Sequence, residues 1–223
     1  MSTYLLINIA IIIFPLIFTV FDRKRIRFVD KLPALLVSIG VVGSIFVIWD
    51  IIATNRGHWA FNPDHVGEFH LFSIPLEEVL FFITVPFSCL FTYESIRYFV
   101  KESRNFVLGK YLVLVFCIVA AASAVVFHGE YTVVVSVVSI LTFGTIYLVE
   151  RDFFDSKIYW LFVMVTFGLF FIFNYFLTSI PIVTYGNEII GLRITTIPVE
   201  DFAYNWAMLS AYLFVYLKTK SLL

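Results

Sequence analysis

Apolar residues run through this chain in long blocks, without the three-and-four spacing of a helix that buries only one face. Seven blocks are long enough to cross a hydrocarbon core of about 30 Å, which takes about 20 helical residues. They fall near Tyr4–Phe21, Pro33–Ile52, Ile74–Tyr93, Leu108–Phe127, Tyr131–Val149, Ile158–Thr178 and Ile197–Leu217. Only His128-Gly129-Glu130 separates the fourth from the fifth, which predicts a tight antiparallel hairpin. The expected fold class is all-α: a polytopic membrane bundle of seven transmembrane helices.

The polar positions between the blocks are not evenly charged. Arg23, Lys24, Arg25, Arg27 and Lys31 follow the first block, and Arg97, Lys101, Arg104 and Lys110 follow the third. Arg151 and Lys157 follow the fifth, and Lys218 and Lys220 end the chain; only Arg56 and Arg193 fall on the other side. Basic loops stay in the cytoplasm. This predicts an outside N-terminus and a cytoplasmic C-terminus in a bacterial inner membrane. No basic stretch precedes the first block, so no cleavable signal is expected.

The order of features repeats. An apolar helix opens at Tyr4 or Tyr131 and ends in a charged turn, Asp22-Arg23-Lys24-Arg25 or Glu150-Arg151-Asp152. A second helix carries one polar residue near its far end, Asp50 or Asn174. A loop with Gly67 or Gly191 then leads into Ile74-Pro75-Leu76-Glu77-Glu78 or Ile197-Pro198-Val199-Glu200-Asp201. The chain therefore reads as a first repeat over residues 1–105, a linker helix within 106–130 and a second repeat over 131–223. An odd number of crossings reverses a directly repeated unit, and the linker helix restores it. The repeats are thus expected to be parallel, with a site between them.

Carboxylates inside a membrane are costly and mark function. Pro75 and Pro198 suit the first turn of a helix, which places the acids at helix N-termini, where free N–H groups favour negative charge. Neighbouring helical residues point about 100° apart, so one acid of each pair can face the other repeat while its neighbour turns away. Two carboxyls sharing one dry pocket titrate as a coupled pair, one neutral and one ionised. Glu77, Glu78, Glu200 and Asp201 are the candidate acid–base residues, with Asp50 and Asn174 as polar groups that could orient them.

Composition fits this picture: 61% of residues are hydrophobic, 14% are charged and the net charge is −1, which suggests no nucleic-acid partner. Mean hydropathy is +0.97. Cys89 and Cys117 sit in apolar runs and read as buried thiols. Phe, Tyr and Trp number 27, 12 and 4. Phe81, Phe82, Tyr204 and Asn205 lie one turn from the acids, and Trp59, Phe61, Phe69 and Phe72 lie in the first long loop. Aromatic faces stabilise a cation best in a dry site, so acids among π-faces suit an apolar substrate that passes through a carbocation. His58, His65 and His70 have no common zinc spacing, so no metal is expected. No nucleotide-binding or hydrolase motif is present.

The Pro-x-Glu-acid motif in each repeat, and the run Trp59-Ala60-Phe61-Asn62-Pro63, Gly67, Pro75-Leu76-Glu77-Glu78-Val79-Leu80-Phe81-Phe82, resemble the membrane-embedded lycopene cyclases of bacteria and archaea. They also resemble the cyclase half of the fungal bifunctional cyclase–phytoene synthase. The second repeat departs from the pattern, with Tyr185-Gly186-Asn187 and a Glu-Asp pair. The resemblance implies a cofactor-free, non-redox isomerase that turns the ends of lycopene into β-ionone rings, giving γ-carotene and then β-carotene. It implies lycopene and the bilayer as partners, with other carotenoid-pathway enzymes as further candidates. Phe81, Phe82, Tyr204, Trp59, Asp50 and Asn174 would line the substrate site. Ring type and C40 or C50 substrate stay open. A proton-coupled transporter is the alternative, although both prolines sit at helix starts and not mid-helix. A retinal protein needs a lysine within the seventh span, where none occurs.

Overall fold

The computed structural model describes residues 1–22 and 24–223; Arg23, counted above among the basic residues, lies outside them. Seven helices are present among the described residues. They are α1 (Thr3–Phe21), α2 (Phe28–Asn55), α3 (Leu76–Phe99), α4 (Leu108–Phe127), α5 (Glu130–Val149), α6 (Lys157–Ser179) and α7 (Val199–Lys220). Helices α1 to α6 are each long and apolar enough to cross a membrane. Helix α7 is 22 residues long but less apolar, because it carries Glu200, Asp201, Asn205, Lys218 and Lys220. Most of its polar groups are covered by protein: Glu200, Asp201, Asn205, Ser210, Tyr212 and Tyr216 are all buried, while the Lys218 and Lys220 side chains at its end are partly exposed. Helix α4 is the opposite case, apolar on nearly every side and little covered.

The packing crosses between the two halves of the chain. Helix α1 packs on α3 and α5 on α7, while α2 packs on α7 and α6 on α3. Helix α4 packs on α5. A polar zipper fixes α1 to α3: the Asn8 side chain donates to the Glu77 carbonyl (3.1 Å), Thr84 donates to Asn8 (2.7 Å) and Ser88 donates to the Ile11 carbonyl (2.9 Å). Helix α2 is not regular. It opens in a 3-10 turn and passes through one π turn at Ile39–Gly43. Gly43 lies there because a Cβ would meet the Tyr212 hydroxyl at 3.1 Å, and that hydroxyl donates to the Phe82 carbonyl.

The prolines differ from expectation. Pro75 and Pro198 do not occupy the first helical turn; each is the extended N-cap residue, with ψ of 152° and 144°. They close short strands β3 (Ile74–Pro75) and β6 (Ile197–Pro198), which pair with β2 (His70–Leu71) and β5 (Arg193–Ile194). Each hairpin turns through a non-glycine residue at positive φ, Phe72 at 56° and Thr195 at 59°. Helices α3 and α7 accordingly start two residues later than predicted, and α3 continues past Tyr93 to Phe99.

A third strand pair was not foreseen. Strand β1 (Trp59–Phe61) pairs antiparallel with β4 (Val183–Tyr185), Trp59 opposite Tyr185 and Phe61 opposite Val183. It joins the loop before α3 to the loop before α7. At the far end of the bundle, buried Glu94 accepts from Lys31 (2.6 Å), Tyr216 (2.8 Å) and Lys220. Glu150 pairs with Lys218 and Arg104.

Candidate active site

The helix starts determine where the acids go. With Pro75 and Pro198 as caps, Glu77 and Glu200 are second in their helices, and Glu78 and Asp201 third. The step of about 100° between neighbours sends the two members of each pair in different directions.

The first members face the loops. Glu77 Oε1 accepts from the Gly67 backbone N–H (2.8 Å) and from the Ser2 hydroxyl. Glu200 Oε1 accepts from the Ile190 backbone N–H and from the Thr132 hydroxyl (2.8 Å). Gly67 fits closely at this point: a Cβ there would lie 2.7 Å from Glu77 Oε1, so the carboxyl or the loop would have to shift.

The second members face a cavity of about 630 Å³, which Glu78, Asp201 and Asp50 all line. The Tyr4 hydroxyl donates to Glu78 Oε2. Asp201 Oδ1 accepts from Tyr131 (2.7 Å), and its Oδ2 accepts from Tyr185 and from Asn174 Nδ2 (3.1 Å). Asp50 Oδ1 accepts from Trp59 Nε1 at 2.7 Å, whereas its Oδ2 has no partner among the described residues although Asp50 is only 2% exposed. Asn205 Nδ2 likewise has none. Burial and the adjacent Asp201 push the Tyr185 phenol well above its ordinary range, so it stays a donor.

Aromatic faces surround these groups. Phe81, Phe82, Tyr204, Trp59, Phe61 and Tyr185 line the cavity. Tyr204 packs against Trp49 and Phe46 at 4.8 and 5.3 Å between ring centroids. Phe69 and Phe72, named with this group from the sequence, are instead exposed. The β1–β4 ribbon covers the acid-bearing end: Trp59, Phe61, Val183 and Tyr185 line the cavity, while Ala60 and Thr184 face outward. The three histidines do not converge. His65 contacts Thr3, His70 contacts the Glu68 carbonyl, and His58 lies 3.4 Å from Glu130.

The structure thus brings Glu78, Asp201, Asp50, Asn174, Phe81, Phe82, Tyr204 and Trp59 to one cavity and turns Glu77 and Glu200 away from it. Sequence reasoning missed the roles of Tyr4, Tyr131 and Tyr185. A signal existed, because Tyr4 and Tyr131 each open an apolar block at similar distances from the acids, 74 and 70 residues from Glu78 and Asp201.

Carboxyl groups that can hold and accept a proton, inside an apolar cavity walled by π-faces, can protonate an alkene, hold the cation and take a proton back. A family model described as lycopene cyclase matches residues 1–96 and 128–218. No curated protein and no solved structure matches the chain. With most of its length matched, and with an apolar cavity that holds its buried acids at one end, the chain belongs to the lycopene cyclase family of membrane enzymes.

Proposed function

We propose that the chain closes β-ionone rings at the ends of lycopene, giving γ-carotene and then β-carotene, with Glu78 and Asp201 as the acid–base pair. The observation that carries this is the meeting of Glu78 and Asp201, from two helix starts 123 residues apart in sequence, in one apolar cavity. A carboxylic acid adds a proton to the terminal double bond, leaving a tertiary cation. The neighbouring double bond attacks it and a ring C–C bond forms. A carboxylate then removes a ring proton, so protons balance and no electrons are exchanged.

Hydrogen bonding suggests how the labour divides. Asp201 receives three donors, so its oxygens are occupied as acceptors and it serves as the fixed carboxylate beside the cation. Glu78 receives one donor and keeps an oxygen free to exchange a proton with substrate. Glu77 and Glu200 are positioning residues that anchor the loops before α3 and α7. Asp50 and Asn174 complete the polar end, and Phe81, Phe82, Tyr204 and Trp59 offer ring faces to the cation.

We further propose two parallel repeats, residues 1–105 and 131–223, with α4 as linker. The family match falls in two segments that omit residues 97–127. The same contacts occur in each half: backbone N–H to the first acid, and tyrosine hydroxyl to the second. In this reading α7 also crosses the membrane, the acids lie near its outer face, and the C-terminus is cytoplasmic.

Expression in a lycopene-accumulating bacterium tests the function. Chromatography is expected to show lycopene replaced by β-carotene through γ-carotene. Unchanged lycopene with the protein present in the membrane overturns the reading, and ε-type rings overturn its ring assignment.

A further inference from the structure

The cavity continues far beyond the acids. Along α3 it is lined by Glu78, Phe82, Cys89, Thr92, Ile96 and Phe99. From Glu78 to Phe99 that face extends about 32 Å at a rise of about 1.5 Å per residue, close to the full hydrocarbon thickness of about 30 Å. Helix α1 forms one wall with Ile11, Phe14 and Pro15, and α6 the other with Thr166, Phe170 and Phe173.

The floor is shaped as a trough. Ser88, Thr92 and Ser95 recur on one face of α3 at helical spacing, and small side chains there leave room. Their hydroxyls are engaged locally: Ser88 donates to the Ile11 carbonyl, Thr92 to the Ser88 carbonyl and Ser95 to the Phe91 carbonyl, at 2.8–2.9 Å. What remains facing the trough is narrow and effectively apolar. Phe14 and Phe99 on its rim are 62% and 75% exposed, so this stretch opens sideways toward lipid. Among the described residues no basic side chain lines the cavity, and its carboxyls, Asp50, Glu78 and Asp201, all lie at the covered end. The buried Asp50 Oδ2, without a partner among the described residues, lies at that same end.

We infer that the distal arm of the polyene lies in the α3 trough, running from the acids past Ser88, Thr92 and Ser95 to Phe99, parallel to the helices. This rests on the cyclase reading and adds the pose. One end of the substrate reaches the acids per binding event while the other end rests about a membrane thickness away. A second ring therefore forms only after the chain leaves through the lateral opening and re-enters reversed. Thr92 and Ser95 are specificity-determining residues, because their size decides whether a full-length arm fits.

The test compares T92W and S95W with wild type in detergent–lipid micelles, on lycopene and on an apo-lycopene whose shortened arm ends before Thr92. Both variants are expected to lose at least tenfold on lycopene and to keep wild-type rates on the short substrate. Equal rates on both substrates, or equal loss on both with the protein accumulated, overturn the pose. Independently of any variant, a photoreactive diazirine on the distal end of lycopene is expected to label wild-type α3 between Thr92 and Phe99 or the facing residues of α1. Label confined to the loops before α3 and α7 overturns it. Failure of wild type to cyclise either substrate points instead to failure of the functional reading.

Discussion

The Tyr131 hydroxyl donates to Asp201 at 2.7 Å, fixing the start of α5 against the start of α7. Tyr4 does the same for Glu78, fixing α1 against α3. Each cavity-facing acid is therefore aimed by a phenol from the neighbouring helix.

Removing either phenol oxygen is expected to lower turnover while the protein still accumulates. A hydrogen bond to a charged group contributes about 1.5–3 kcal/mol, and loss of aim adds to that. Tyr4→Phe and Tyr131→Phe are each expected to reduce cyclised product per protein at least tenfold in lycopene-producing cells. Wild-type pigment from both variants removes the phenols from the site.

The acids of each pair are expected to separate by phenotype. Glu78→Gln and Asp201→Asn should eliminate ring formation, since a positioned acid or base contributes about 10²–10⁴-fold. Glu77→Gln and Glu200→Gln each weaken loop anchors and are expected to retain measurable turnover with a lower melting temperature. Dead enzyme from the Glu77 variant, with normal melting, reverses the assignment.

Gly67→Ala is expected to destabilise. Its Cβ would come 2.7 Å from Glu77 Oε1, so the loop or the carboxyl must shift. Gly40→Ala, where nothing lies within 4 Å of the added carbon, is the control. Thermal aggregation of the solubilised proteins should place Gly67→Ala several degrees below wild type and leave Gly40→Ala near it.

The Glu94 cluster at the opposite end is expected to stabilise the bundle without touching chemistry. Glu94→Gln leaves Lys31 and Lys220 without their shared counter-charge. The cost stays below the about 3–5 kcal/mol of a fully buried pair, because those lysine side chains are 21% and 27% exposed. The melting temperature should fall while the ratio of ringed products holds.

Stability is expected to depend on pH through His58, in the loop before β1. Burial lowers its affinity for a proton, Glu188 opposes this, and Arg56 reinforces the lowering. The unfolded chain then binds the proton more readily, so stability is full above the ordinary histidine range near pH 6.5 and falls as pH drops below it. Melting followed from pH 7.5 to 5 should show this decline, and His58→Gln should flatten it.

The helices were legible because long apolar blocks have one interpretation in a bilayer; Leu108–Phe127 appears with the predicted bounds. The acid pairs were legible because carboxylates are rare in such blocks. The caps were not, since proline suits both a first turn and an extended cap, and Phe72 and Thr195 carry none of the glycine or asparagine that signals a tight hairpin. Nor was the β1–β4 ribbon, whose partners Trp59 and Tyr185 are distant in sequence and joined by only three residue pairs. Which acid faces the cavity depends on the rotation of α3 and α7, set by contacts such as Asn8 with the Glu77 carbonyl, and a linear pattern does not carry rotation.

The ribbon that joins the two halves has a consequence for by-products. In the proposed reaction a tertiary cation formed beneath Trp59, Phe61, Val183 and Tyr185 would meet ring faces before solvent, so capture by water to give an alcohol is expected to be suppressed. In the proposed cycle one proton is taken up and one released per ring, so no net supply of protons from bulk water is required beneath this covering.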